Sequence, residues 1–202
     1  ETTTIAENVA LGSEGGGGLL NLGDGVPDSV EGRGVLRISR STISQNVAQA
    51  LGAPGGGIRN VSTVIEEFAG PKPALDVSYS TITLNSGVGG GISSAEGQVV
   101  LAHATIVGNS NTTSDGTGTG GVDIDGGTLQ AIATIISQNQ NVALFEPNYT
   151  GPAITGGMNF ISQDDPQLGP LQNNGGLTLT MLPMAGSPLI DAGGERLLGQ
   201  DV

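Results

Sequence analysis

Two pairs of carboxylates are the residues of this 202-residue chain best suited to acid-base chemistry. Asp123 and Asp125 stand two apart in VDID, so a strand would place both side chains on one face. Asp164 and Asp165 form the second pair. Glycoside hydrolysis needs two carboxyl groups roughly 5 to 9 Å apart. Both pairs lie beside glycine or proline turns, where acidic side chains are more often solvated or capping. We therefore expect no catalysis, and keep a hydrolase using Asp123 and Asp125 as the alternative.

The cationic residues bear on a second chemistry, that of polysaccharide lyases. A lyase needs a base together with cations that neutralise the carboxylate of the substrate, and the chain has only six Lys and Arg residues. Arg37 and Arg59 could face outward from neighbouring repeats, as ordinary surface arginines do. His103, the only histidine, lies between apolar residues in VVLAHATIV and has no evident nucleophile or ligand partner. A structural role is expected for it.

Acidic turns offer the oxygen ligands that Ca²⁺ prefers. The candidate ligands are Asp24 in NLGDGVPD, Asp115 in SDGTG, and Asp123 and Asp125 in DIDG. None of these turns repeats the GGxGxD nonapeptide or the EF-hand loop. The sequence therefore predicts no cofactor, with Ca²⁺ as a weak alternative.

The net charge of −13, from 19 acidic residues against six Lys and Arg, excludes the usual partners of basic proteins. Nucleic acids and anionic membrane surfaces would be repelled. No apolar run approaches the ~18 residues that a membrane-spanning helix needs, so we expect no membrane insertion. The chain has no cysteine, and its acidic, lysine-poor composition fits an extracellular protein. Its 36 glycines indicate many tight turns.

Two short sequence motifs, here called phrases, recur along the chain in alternation, and the structure they form must position the residues named above. The first phrase is an aliphatic residue, two variable residues and asparagine; the second is a glycine cluster closed by an aliphatic residue. The asparagines are separated by 38, 39, 24 and 30 residues, which suits coils whose outer loops vary in length. The first phrase occurs as TIAEN (4–8), TISQN (42–46), TITLN (81–85), TIVGN (105–109) and IISQN (135–139), and the second as GGGL (16–19), GGGI (55–58), GGGI (89–92) and TGGV (119–122).

The segments around these phrases alternate in polarity and are rich in β-branched residues, which indicates half-buried strands. Short strands that recur in this way predict an all-β fold, a parallel β-helix of about five or six coils with variable loops. Glycine before the second strand would allow a positive φ and a close approach of neighbouring coils. The predicted interior has one aliphatic ladder of Ile5, Ile43, Ile82, Ile106 and Ile136, and another wall of Ile58, Ile92 and Val122.

The repeated asparagines are predicted to turn the corner after each strand. Asparagine tolerates left-handed backbone, and its amide can bond to the same residue of the next coil. The alternative is that these asparagines are polar turn residues that do not bond to one another. The predicted ladder of amides comprises Asn8, Asn46, Asn85, Asn109 and Asn139.

The C-terminal stretch DPQLGPLQNNGGLTLTMLPMAGSPLIDAG (165–193) closely resembles the signature that ends the β-helix in choice-of-anchor Q bacterial surface proteins. The paired phrases are similar to repeats of pectin-lyase-like right-handed β-helices. They also resemble the FxxN and GGA[ILV] repeats of chlamydial polymorphic outer-membrane adhesins, with Ile where those have Phe. Together the resemblances cover nearly the whole chain and imply a right-handed parallel β-helix. Because the chain begins with Glu1 and stops at Val202 without a sorting anchor, we expect a piece of a longer protein.

The expected function is that of a non-catalytic, extracellular structural or adhesive module of a bacterial surface protein. A rigid solenoid would display its loops to a glycan, a surface protein or sister subunits at its ends. The alternative is a polysaccharide-active enzyme, hydrolase or lyase, on one β-face. Residues 1–163 are expected to form the coils and residues 164–202 a closing segment of the same domain.

Two surface features extend these expectations. The loop 59–74, which carries Phe68, is a candidate contact surface, or else Phe68 covers a wall of the solenoid. Ice binding by threonines is a weaker alternative, because TxT at 81–83, 117–119 and 178–180 does not recur at one coil position.

Overall fold

The computed structural model describes residues 2–24, 34–63, 72–113, 118–141 and 148–193. These ranges contain 18 strands and no helix. The strands form parallel sheets whose members recur in the same order once per coil. The predicted all-β fold, a right-handed parallel β-helix of about five coils, is confirmed. Among the described residues no helix could span a membrane.

Three sheets form the walls of the solenoid, and a short pair of strands lies at one corner. Sheet 1 contains β1 (Thr4–Ala6), β5 (Thr42–Ser44), β9 (Thr81–Thr83), β12 (Thr105–Val107), β15 (Ile135–Ser137) and β18 (Phe160–Ser162). Sheet 2 contains β3 (Leu19–Asp24), β7 (Ile58–Thr63), β10 (Ile92–Ala95), β13 (Val122–Asp125) and β16 (Tyr149–Thr150). Sheet 3 contains β4 (Val35–Ser39), β8 (Ala74–Ser78), β11 (Gln98–Ala102), β14 (Thr128–Ile132) and β17 (Thr155–Gly157), and the corner pair is β2 (Val9–Ala10) with β6 (Val47–Ala48).

The core is a narrow column of aliphatic side chains, in which like residues of successive coils lie in register. The predicted isoleucine ladder of sheet 1 is confirmed, since each member pairs directly with the next. Its four inner members are fully buried, and so are the predicted residues of sheet 2. Burying each such side chain contributes about 1.5–3 kcal/mol to the free energy of unfolding. Sheet 3 adds a wall of Leu75, Val99 and Leu129, and beside it Val77, Leu101 and Ala131.

The glycine clusters form the corner before sheet 2, as predicted. Gly16, Gly55 and Gly89 have φ values of 67°, 68° and 59°, which residues other than glycine rarely adopt. The next glycine of the cluster meets the neighbouring coil: a methyl group at Gly56 would lie 2.4 Å from the carbonyl oxygen of Ser86. Coils therefore approach too closely at this corner for any side chain.

The corner after sheet 1 differs from the prediction in one respect. The left-handed residue is not the asparagine but the residue before it, so assigning the positive φ to asparagine is wrong. The asparagine contributes its side chain, which bonds to the asparagine of the next coil. The left-handed residues are Glu7, Gln45, Leu84, Gly108 and Gln138, with φ values of 59°, 58°, 58°, 69° and 51°.

The segment 164–193 folds back over sheet 1. Antiparallel bridges join Leu168 to Pro183 and Gln172 to Thr180, and the hydroxyl of Thr42 donates to the carbonyl of Leu179 at 2.7 Å. Thr81 and Thr83 are buried, so the TxT at 81–83 offers no exposed threonine pair of the kind that ice binding requires. The division of the chain at residue 163 stays a prediction.

The predicted loop 59–74 is only partly a loop. Residues 59–63 belong to β7 and Ala74 begins β8. Phe68 lies outside the described residues, so its role stays a prediction.

Candidate functional site

The five predicted asparagines form one column of hydrogen-bonded amides at the corner after sheet 1. Each Nδ2 donates to the Oδ1 of the next asparagine at 2.9 Å, from Asn8 through to Asn139. The backbone N–H of each donates to the same oxygen at 3.0–3.1 Å. Each of the four later amides also donates to a strand carbonyl of the preceding coil. The inner amides are saturated and buried, so they support the corner and bind nothing else.

The column continues to a sixth member that the sequence analysis missed. The Nδ2 of Asn139 donates to Oδ1 of Asn148 at 3.1 Å. The signal was present as Phe145-Glu-Pro-Asn148, which matches the FxxN spacing. Only nine residues separate Asn139 from Asn148, far fewer than the intervals between the other members. A second short column, Asn21 to Asn60 to Ser94, lies in sheet 2 and was also missed.

Asp123 and Asp125 lie on the outward face of β13, on either side of the buried Ile124. Asp123 is half-buried and Asp125 is exposed. In the register of sheet 2, Asp123 is level with Ser93, and Ser93 is level with Arg59. We call these four residues, Arg59, Ser93, Asp123 and Asp125, the acidic face.

Within the acidic face, Arg59 forms a hydrogen bond with Ser93. Its Nη1 donates to the Ser93 hydroxyl at 2.7 Å, and its buried Nε has no hydrogen-bond partner within the described ranges. Burial lowers the pKa of Arg59, although Glu14, Asp123 and Asp125 act in the opposite direction. Two coil spacings, about 9.6 Å, separate the strands that carry Arg59 and Asp123.

Asp123 has a greater tendency to keep its proton than an ordinary aspartate. Burial, and then repulsion by Asp125, raise the pKa of Asp123, while Arg59 opposes the shift. Two glycines flank it: a methyl group at Gly118 would lie 3.3 Å from its Oδ2, and one at Gly89 would lie 2.9 Å from its Cβ. The arrangement offers one half-buried carboxyl with a raised pKa and one exposed carboxyl on a single face.

Of the calcium candidates, only Asp123 and Asp125 are described on one strand. Asp115 lies outside the described residues, and β3, which ends at Asp24, is separated from β13 by β7 and β10. In the described part of the chain no group of three or more His, Asp or Glu side chains could hold a metal ion. Calcium binding stays an untested prediction.

The remaining candidates have local partners. Asp164 accepts from the Ser162 hydroxyl at 2.9 Å, and Asp165 accepts from the side chain of Gln138 at 3.1 Å. Arg37 forms an exposed ion pair with Asp76 at 3.2 Å. These contacts are typical of turns and surface strands.

His103 differs from its expected place among apolar residues. It is exposed at a corner with a φ of 52°, and its ring stacks on that of Tyr79. The strand β11 ends one residue earlier, so the alternating pattern of apolar residues does not extend to His103.

A polar groove of about 600 Å³ runs beside the asparagine column, and the sequence analysis did not predict it. It is lined by two asparagines of the column, Asn109 and Asn139, together with Leu84, Gly108, Ser110, Gln138, Gln140, Asn141 and Gln163. We call it the amide groove. None of its described lining residues is titratable, and its volume lies in the range of about 300–1,000 Å³ typical of ligand sites. The side-chain amides of its glutamines can donate to and accept from a ligand rich in hydroxyl groups.

No protein-family model, no curated protein and no solved structure matches the chain. The parallel sheets stacked in register are those of a parallel β-helix, and no family is identified. The resemblance to choice-of-anchor Q proteins and to chlamydial adhesins stays a prediction.

Proposed function

We propose that this chain is a non-catalytic, extracellular module of a bacterial surface protein, which presents a rigid solenoid surface to a glycan. The observation that carries the proposal is the amide groove. Its side chains can form hydrogen bonds with sugar hydroxyls, and Leu84, 53% exposed, offers an apolar contact for a sugar ring. No described residue of its lining could act as an acid or a base.

The stacked coils make this groove suitable for display. Two of its lining residues, Asn109 and Asn139, are buried and hydrogen-bonded to neighbours on both sides. This part of the lining is already ordered before a ligand binds, which lowers the entropic cost of binding. The bacterial surface location rests on the C-terminal motif 165–193 and on the acidic, cysteine-free composition.

A glycan array followed by calorimetry would test the proposal. We expect the wild-type chain to bind at least one glycan without releasing reducing sugar. Gln140→Ala is expected to weaken binding about fivefold, since a hydrogen bond is worth about 1 kcal/mol. Gln130→Ala, an exposed glutamine on the outer face of sheet 3, is the matched control and should leave the affinity unchanged. Equal effects of the two variants would contradict the proposed site.

The acidic face supports a second candidate, a polysaccharide hydrolase. The raised pKa of Asp123 suits a general acid, and Asp125 on the same face could activate water. Residues two apart on a strand have Cα atoms about 6.6 Å apart, near the carboxyl separation of inverting enzymes, roughly 6.5–9.5 Å. A reducing-sugar assay with wild type and Asp123→Asn decides: turnover abolished by the substitution would establish the hydrolase and reject the display module.

Sister subunits at the ends of the solenoid are a further class of partner. The core residues Ile5, Leu19 and Leu36 of the first coil are only partly buried, so a neighbouring coil would cover them. Sedimentation at increasing protein concentration tests this association, and Leu19→Gln should suppress it.

A further inference from the structure

The corner after sheet 3 carries one outward side chain from each coil, and we call this set the corner column. Each member follows the last residue of its strand, and its backbone N–H donates to the next coil at 3.0 Å in the first four cases. All five have left-handed backbone, so the same geometry recurs at each level. The members are Arg40, Tyr79, His103, Ala133 and Met158, with φ values of 48°, 48°, 52°, 46° and 58°.

The first three members form a stack. The ring centroids of Tyr79 and His103 are 4.8 Å apart with planes inclined by 8°, and Cζ of Arg40 lies 5.8 Å from the Tyr79 centroid. This separation is that of neighbouring strands in a sheet, about 4.8 Å. The solenoid therefore sets flat groups one coil apart, a distance within the range of favourable aromatic stacking.

The stack is interrupted at Ala133, whose side chain is a single methyl group. The next member is Met158, two coil spacings, or about 9.6 Å, beyond His103. A ring inserted midway would lie about 4.8 Å from each, which is the separation that Tyr79 and His103 already have. A cavity of about 200 Å³ adjoins Ala133 and Met158 but does not include His103; its other lining residues are Thr134, Ile135, Asn159, Phe160, Leu189, Ala192 and Gly193.

We propose that the gap over Ala133, the ring slot, binds one pyranose ring of a glycan between His103 and Met158. The inference rests on the proposed glycan-binding function and adds a second contact site with a stated ligand chemistry. The electron-rich face of an aromatic ring attracts C–H groups, and a pyranose presents C–H groups on its faces and hydroxyls on its edge.

The exposure of both walls favours a sugar over an aromatic side chain of a protein partner. His103 is exposed and Met158 is 61% exposed, so the edge of the guest stays in water, where hydroxyls remain solvated.

His103 is the only histidine of the chain, so its ring protons provide an unambiguous NMR signal. The probes are methyl β-glucopyranoside, methyl β-galactopyranoside, methyl N-acetyl-β-glucosaminide and, as an aromatic comparison, N-acetyltyrosinamide. We expect at least one pyranoside to shift the His103 signals saturably. Ala133→Phe fills the slot with a ring of its own and should weaken that binding at least tenfold.

Two further variants make the test specific. Gln130→Phe adds a ring to the outer face of the same wall, away from the slot, and should bind like wild type. Met158→Ala removes one wall without filling the gap and should weaken binding without disturbing the fold. The proposal is overturned if no pyranoside shifts His103, if Ala133→Phe binds like wild type, or if only N-acetyltyrosinamide binds. An intact effect of Gln140→Ala on glycan affinity would then leave the proposed function standing.

Discussion

Replacing Asn85 by alanine tests how the coils are held together. Asn85 is fully buried, and its side chain makes four hydrogen bonds. Its Oδ1 accepts from the backbone N–H and from Nδ2 of Asn46, and its Nδ2 donates to the Ile43 carbonyl and to Oδ1 of Asn109. Alanine would remove all four at once in a place that water does not reach.

The size of the effect follows from the groups left behind. Nδ2 of Asn46 keeps a bond to the carbonyl of Ile5, and Oδ1 of Asn109 still accepts from the backbone of residue 85. The N–H of Asn46 and the Ile43 carbonyl lose a partner, and each buried group left unsatisfied costs about 1–3 kcal/mol. With the small cavity added, Asn85→Ala should lower the free energy of unfolding by about 3–5 kcal/mol.

Asn8→Ala is the matched control, because Asn8 is the exposed first member of the same column. Its Nδ2 donates only to the Ala6 carbonyl and to Asn46, so its removal should cost about 0.5–1.5 kcal/mol. Urea denaturation followed by circular dichroism measures both variants against wild type. If Asn85→Ala costs no more than Asn8→Ala, the buried amide column does not stabilise the solenoid and the reasoning fails.

Three further outcomes are expected. Gly56→Ala places a methyl group 2.4 Å from a backbone oxygen and should lower the free energy of unfolding, measured by urea denaturation, by about 1–3 kcal/mol or more. Gly12→Ala, whose methyl group would meet nothing within 4 Å, should change it by less than about 0.5 kcal/mol. Burial raises the pKa of Asp123 in the folded state, so the free energy of unfolding falls as pH rises above the ordinary aspartate pKa near 4. Asp123→Asn should therefore have the same free energy of unfolding as wild type at about pH 3 and a higher one at pH 7. A difference in unfolding free energy that stays constant across this range would contradict the raised pKa. Thr42→Val removes the hydrogen bond to Leu179 and should speed proteolysis within 164–193, and an unchanged cleavage rate would show that this contact does not hold the segment.

The interior of this protein could be predicted from residue types because it repeats. An aliphatic residue three positions before each asparagine is the same residue that pairs across coils, from Ile5 to Ile136. Glycine clusters likewise mark the corner where neighbouring backbones meet. A pattern that recurs in every coil is readable because each coil must satisfy the same packing and hydrogen bonding.

At the corner asparagines, the sequence predicts the stacked side chains but not the backbone conformation. Their spacing predicts which residues form the column. The positive φ belongs to the residue before each asparagine, and that residue is Glu, Gln, Leu or Gly in different coils. Residue type carries little information there, because the geometry of the turn imposes the angle. Asn148 was missed for a related reason: its interval of nine residues departs from the repeat, and only stacking shows that it continues the column.

The sequence by itself determined the cross-section of the solenoid: which residues point inward, where glycine is required, and which asparagine amides stack at the corner. Only the tertiary structure decided which unlike residues meet on the outside. Tyr79 lies against His103, Arg59 bonds to Ser93 level with Asp123, and Thr42 of sheet 1 bonds to Leu179 of the segment 164–193. The physical reason is that outward neighbours belong to different coils, joined by loops of unequal length, so their proximity depends on the stacking register and leaves no periodic signal along the chain.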